Sequence, residues 1–130
     1  MRIYLDAAPT IYLVEDVAPY KAVLDSLLSN PSARVVVSDL TRMECRVRPI
    51  RDNDTELLAD FDQFFDDGAV EVVSLTRVVL DLATDLRARY GFKTPDSIHL
   101  AAAIDWGCSL FVTNDHRLDR CTEIAVQVLS

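Results

Sequence analysis

The chain has little of what disulfide-stapled, membrane-bound or nucleic-acid-coating proteins are built from. Its three cysteines, Cys45, Cys108 and Cys121, show no metal-type spacing, and their odd number argues against a disulfide framework. It has only two histidines, and no His/Cys constellation that would serve a soft metal. No apolar run reaches the length of a membrane span, and Asp6 interrupts the first one. Neither a signal peptide nor a membrane partner is therefore expected, and a reducing cytoplasm is the expected setting. Basic residues are scarce: 13 Lys and Arg stand against 21 Asp and Glu, a formal net charge of −8. That balance argues against a general nucleic-acid coat, though not against an enzyme that meets phosphate through a bound cation. Repeats, linkers and low-complexity runs are also missing.

What is present is a folded chain. Half of its 130 residues are hydrophobic, enough for one domain over 1–130 with a real core. Short apolar runs at Arg2–Leu5, Val35–Val37, Val70–Leu75, Leu110–Val112 and Ala125–Leu129 predict strands. Between them, apolar residues at helical spacing predict helices from Pro9, from Pro19, after Ser38 or Asp39, from about Thr55, and over Thr76–Tyr90. Pro49 is expected to break the third of these, and Gly91 to stop the last. Strands alternating with helices predict an α/β three-layer sandwich around a mostly parallel sheet.

The most informative stretch is Thr94–Leu118. Thr94 suits a helix cap, Pro95 the first helical position, and Asp96 the positive end of the helix dipole. The helix is apolar on almost every face apart from His99, so it must be covered on most sides. Gly107 ends it, Leu110–Val112 forms a buried strand, and Thr113-Asn114-Asp115 follows.

In an open parallel sheet, ligands sit beyond the carboxyl ends of the strands. Asp6 ends the first strand and Asp115 follows the Leu110 strand. Glu44 lies two turns into the helix after the second strand, and Asp96 opens the helix before the Leu110 strand. All four can reach one edge, where two like charges at ~4 Å repel by about 1 kcal/mol in water and several times that at protein-like dielectric. A cation offsets such repulsion. Oxygen ligands without a His/Cys set select a hard ion, Mg²⁺ or Mn²⁺, and its natural chemistry is attack of water on a phosphodiester.

Each acid also has a purely structural reading. Asp6 can cap the helix at Pro9, and Asp96 can serve its helix dipole. Glu44 fits a capping box with Thr41 or an i,i+4 pair with Arg48, and Asp115 can cap the turn toward Leu118. His99 reads as a core histidine, His116 as a solvated loop residue, and Trp106 as packing. Thr113 and Asn114 can orient Asp115 or a metal-bound water, or shape the corner. Arg42 and Arg46 share a helix face and can present a positive rim to RNA, or simply balance nearby acids.

The assembled pattern resembles the PIN-domain family, and within it the VapC-type toxins of bacterial toxin–antitoxin pairs. The matching features are Ile3-Tyr4-Leu5-Asp6, Ser38 with Thr41-Arg42-Met43-Glu44, Thr94 through Ala103, and Thr113-Asn114-Asp115 with Leu118. The resemblance spans essentially the whole chain, and the last two motifs are the specific ones. It implies a PIN-like fold and a Mg²⁺- or Mn²⁺-dependent endoribonuclease that hydrolyses RNA. It also implies a homodimer held in check by a cognate VapB-type antitoxin. By position, Asp6, Glu44, Asp96 and Asp115 correspond to the family's acidic metal-site residues. One departure stands out: the family often has Ser, Thr or Asn just after the first Asp, whereas Ala7 and Ala8 occupy that place here. That support is either missing or supplied by Thr10. The first helices, with Tyr12 and Tyr20, are candidates for a dimer or antitoxin surface, or for core.

Rival readings lack key residues. A haloacid-dehalogenase-type phosphatase needs a second Asp two residues after the first, where Ala8 stands. A topoisomerase-primase-type site needs an Asp-x-Asp pair, which Asp115-His116-Arg117 does not supply. A receiver-like module gathers adjacent acids early in the chain, and Asp6-Ala7 has no such pair. A PIN-like fold kept as a non-catalytic binding module is the remaining alternative.

Overall fold

The computed structural model describes residues 1–129. Five short strands, β1 (Arg2–Leu5), β2 (Arg34–Ser38), β3 (Val70–Val73), β4 (Leu110–Thr113) and β5 (Ala125–Val128), make one sheet in the order β3-β2-β1-β4-β5. Every pairing is parallel. Six helices flank it: α1 (Ala7–Val14), α2 (Tyr20–Leu27), α3 (Asp39–Arg51), α4 (Thr55–Asp66), α5 (Arg77–Tyr90) and α6 (Thr94–Asp105). A 3₁₀ turn covers His116–Arg120.

The period-two alternation of a strand divides β1 between two cores. Tyr4 joins Val36, Val73 and Phe111 under α5 and α6, with Leu86 and Leu100 fully buried between helices and sheet. Ile3 and Leu5 join Val37 and Val112 on the opposite face, beneath Leu24 of α2, Cys45 of α3, and Phe61 and Phe65 of α4. Both faces are covered, which explains why the strands read as continuous apolar runs. No helix among the described residues is long and apolar enough to cross a membrane.

Local chemistry sets most boundaries. Asp6 caps α1 by accepting from the Ala7 amide at 2.8 Å, so α1 begins two residues before Pro9, which tolerates the first turn because its missing N–H is not needed there. Ser38 caps α3 in a box closed by Thr41, not by Glu44. Pro49 does not break α3, which runs on to Arg51. A proline this near the C-terminus removes one backbone bond, and its buried ring adds packing. Gly91 closes α5 in the left-handed region at φ 75°, as its position predicts. At α6 the expected cap fails: Thr94 is already helical, Lys93 holds the cap position, and no side chain bonds the first turn.

In this strand order the connections leave β1 and β4 in opposite directions. The resulting switch point opens a crevice beyond the carboxyl ends of those two neighbours. Asp6 stands immediately after β1, its amide still bonded to Val112 of β4 at 3.0 Å.

Candidate active site

Three side chains from three elements meet at the switch point. Asp6, Glu44 of α3 and His99 of α6 each offer a ligand atom, and these atoms lie within 4.8 Å of one another. His99 is the hub. Its Nε2 is 2.5 Å from Glu44 Oε1 and 3.4 Å from Asp6 Oδ1, and its Nδ1 is 2.7 Å from the Tyr4 hydroxyl. Its side chain is 1% exposed, against 13% for Asp6 and 31% for Glu44, so the imidazole braces the carboxylates from behind. Tyr4 donates in turn to Ser38 Oγ at 2.8 Å and lies 3.3 Å from Thr41 Oγ1. The residues that cap α3 thus also anchor the tyrosine that holds His99.

The same contacts act on the titration of the ring. Burial opposes protonation of His99. The hydrogen bond to Glu44 and the fields of Asp6, Glu44 and Asp96 outweigh it, and the imidazole is held above its ordinary pKa. Both ring nitrogens have hydrogen-bond partners, Tyr4 at Nδ1 and Glu44 at Nε2.

Asp6 is oriented from two sides. Its Oδ1 accepts from Ala7 and its Oδ2 from the Thr113 hydroxyl at 2.8 Å. Thr113 Oγ1 also accepts from the Asp115 amide at 3.1 Å, linking the two acids through one side chain. Thr10 does not take this role, because its hydroxyl bonds the Asp6 backbone carbonyl at 3.0 Å. The support absent at Ala7 and Ala8 comes instead from the far end of β4. Asn114 turns away and donates to the Tyr12 hydroxyl at 3.0 Å, so it orients a helix α1 residue, not Asp115.

The other half of the site is looser. Asp96, half-buried in the first turn of α6, is held above the usual carboxylate range by burial and by the negative fields of Asp6 and Asp115. Asp96 thus feels the charges of both Asp6 and Asp115. Asp115 is bracketed by Arg117, whose Nε and Nη2 approach its two oxygens at 3.0 and 2.7 Å, and this pair holds its carboxyl below the usual range. Asp115 also caps the 3₁₀ turn by accepting from the Arg117 amide.

The structural and chemical readings of the acids therefore coexist: Asp6 and Asp115 are helix caps and also line the crevice. Glu44 is neither cap nor partner of Arg48, which pairs with Glu15 at 2.7 Å. The expected basic rim is half neutralised, because Arg46 is bound to Asp62 at 2.8 Å, while Arg42 makes no ion pair among the described residues. Reading the sequence missed His99 and Tyr4 as members of the site. The signal was present, since His99 follows Asp96 by one helical turn and shares its face.

Carboxylates from four separate elements around one crevice suit a hard divalent ion, and the donor atoms of Asp6, Glu44 and His99 are close enough to share one. Asp96 has no hydrogen-bonded partner among the described residues to offset its charge.

Comparison with known proteins agrees with this architecture. The structure of VapBC2 from Rickettsia felis, bound to a DNA fragment from its promoter, superposes with a TM-score of 0.79 at 16% identity, covering 98% of each chain. DNA-bound VapBC from Salmonella typhimurium gives 0.76 at 18% identity over 98% of each chain. VapC20 of Mycobacterium tuberculosis, described as a sarcin–ricin-loop-cleaving toxin, gives 0.69 at 14% identity, covering 84% of this chain and 86% of its own. At such identities the likeness speaks for the fold. No curated protein sequence matches the chain. The family model of the PIN domain matches residues 3–124, and the chain belongs to the PIN-domain family.

Proposed function

We propose that the protein is a metal-dependent endoribonuclease, the toxin of a toxin–antitoxin pair, acting in the cytoplasm. The observation that carries this reading is the meeting of Asp6, Glu44 and His99 at the switch point of a PIN fold, with Asp96 and Asp115 on the same rim. Asp6, Asp96 and Asp115 would hold Mg²⁺ or Mn²⁺, with Glu44 either joining them or orienting the attacking water. The ion supplies positive charge against the phosphoryl oxygens and lowers the pKa of water.

The chain's own residues do the rest. Thr113 and the Ala7 amide fix both oxygens of Asp6. His99, pinned by Tyr4, fixes Glu44 and positions one of its oxygens at the crevice. Glu44 is then placed to take a proton from water during in-line attack, with no covalent enzyme intermediate. The similar VapBC and VapC20 structures support an RNA substrate and a VapB-type antitoxin partner. An exposed apolar stripe on α3, Met43, Val47 and Ile50, offers such a partner a surface. The Tyr12–Tyr20 stack, with ring centroids 4.4 Å apart, lies on the face we assign to a homodimer.

Incubating the protein with structured RNA and Mn²⁺ tests the reading. Cleavage that disappears in chelator and in the Asp96→Asn variant is the expected result. RNA left intact by the metal-loaded protein would favour a non-catalytic binding module.

A further inference from the structure

The crevice has a second feature, of opposite sign. A cavity of about 150 Å³ opens between the start of α6 and the 3₁₀ turn, and Lys93, Arg117 and Arg120 line it together with Asp96. Three cations around one small cavity is unexpected in a chain with 13 basic residues and a net charge of −8.

Two of the three have no carboxylate partner among the described residues. Lys93 is exposed at the cap position of α6 and forms no ion pair. Arg120 is held by neutral groups: it donates to the carbonyls of Tyr90 at 3.0 Å and Arg117 at 3.3 Å, and lies 5.0 Å over the Phe92 ring. These contacts fix its guanidinium without cancelling its charge. Arg117 is shared, bound to Asp115 on one side and lining the cavity on the other.

The backbone adds to the same field. α6 begins at this cavity, and no side chain caps its first turn. Unsatisfied amides and the helix dipole favour an anion at such an end, and the adjacent cations raise that preference. A planar guanidinium pairs best with a tetrahedral or carboxylate oxyanion, and a lysine adds a mobile point charge. Asp96 forms part of the wall, which places the anion beside the acids assigned to hydrolysis.

We propose that this cavity seats a backbone phosphate of the RNA, next to the phosphodiester that is cut. The inference rests on the nuclease reading above and adds to it the place where the strand is gripped. It moves the RNA-contacting surface from the expected Arg42 and Arg46 on α3 to the opposite side of the crevice.

The test measures RNA binding by anisotropy in the cleavage-poor Asp6→Asn background across a salt series. Lys93→Gln and Arg120→Gln should each weaken binding several-fold. Each should also lower the slope of log affinity against log salt by about 0.7, one phosphate contact on a single strand. Arg34→Gln, at the other end of the sheet, should leave the slope unchanged. In the wild-type background, the two cavity substitutions should raise KM and leave kcat nearly unaltered. Lys93 is exposed, so its variant is expected to fold even where Arg120→Gln does not.

Metal-dependent cleavage with unchanged salt slopes would overturn the cavity assignment and leave the nuclease reading intact. Reduced slopes without any cleavage by the wild type would keep the cavity and remove the nuclease. Unchanged slopes combined with lost binding of a protein partner would assign the cations to that partner and overturn the proposal.

Discussion

The two halves of the crevice are built on different plans. On one side Tyr4, Asp6, Glu44, His99 and Thr113 form a bonded set anchored in the sheet and in the cap of α3. On the other, Asp96 stands without a partner and Asp115 is matched to an arginine whose side chain is 60% exposed. The difference separates two tasks. A group that orients water gains from being fixed before the substrate arrives. Groups that admit an ion and an RNA strand must give up local partners, and exposed ones do so at little cost. It also revises the simplest electrostatic expectation. Acids at this edge are not tolerable only around a divalent ion, because Arg117 pairs with Asp115 and His99 holds Glu44 by a hydrogen bond.

The largest expected effect tests the fixed half at its centre. Asp6→Asn should lower Mn²⁺-dependent RNA cleavage by about a thousandfold or more, the range for losing a group at the reacting centre. Because asparagine still accepts from Ala7, melting in chelator should stay unchanged or rise, and a clear fall would mark Asp6 as structural. His99→Ala comes next. It leaves the Tyr4 hydroxyl and Glu44 without their shared partner, with an expected loss of about 1–3 kcal/mol in denaturant melts. Cleavage should fall by about 10–100-fold, the usual penalty for removing a group that orients a ligand. Tyr4→Phe should reproduce part of both losses, and an unaffected cleavage rate would detach Tyr4 from the site. Thr113→Val removes only a hydroxyl from Asp6, so it should weaken Mn²⁺ binding by about tenfold, read by calorimetry.

The smallest effects belong to the open half, and they have opposite signs. The carboxyl of Asp115 is held below its ordinary value by Arg117, so it contributes stability above the unfolded-state pKa, lost as pH falls through the folded value. Asp96 is held above its ordinary value, so its charged form opposes folding, and the molecule gains from its protonation as pH falls. In chelator at neutral pH, Asp96→Asn should therefore raise the melting temperature slightly and Asp115→Asn should lower it slightly. The Asp96 difference should vanish as pH falls below the unfolded-state value, and the Asp115 difference only as pH falls further, through its lowered folded value. Two shifts of equal sign would show that the halves do not differ in this way.

The fold was largely legible because buried parallel strands advertise themselves. Val35–Val37 and Leu110–Val112 have no polar alternation, and Gly91 marks the end of α5. Asp6, Glu44, Asp96 and Asp115 could be placed on one edge by counting from strand ends. Their partners could not. Glu44 finds His99 across 55 positions and Asp6 finds Thr113 across 107, pairings that only the packing of α3, α6 and β4 creates. Ser38 and Thr41 read as a local cap, with nothing in their spacing to say that a tyrosine would lean on them. Local rules misled where tertiary packing prevailed, as at Pro49 and at the uncapped start of α6.

The plainest part of α6 has a consequence for the most polar. Leu100, Ala101, Ala102 and Ala103 are all fully buried, and three methyl groups in a row permit close approach of the neighbouring elements. The alanines act as a shim whose thickness sets how near Asp96 and His99 come to acids on other elements. Enlarging one of them, with a strain of about 1–3 kcal/mol, would retune the centre without touching a charge.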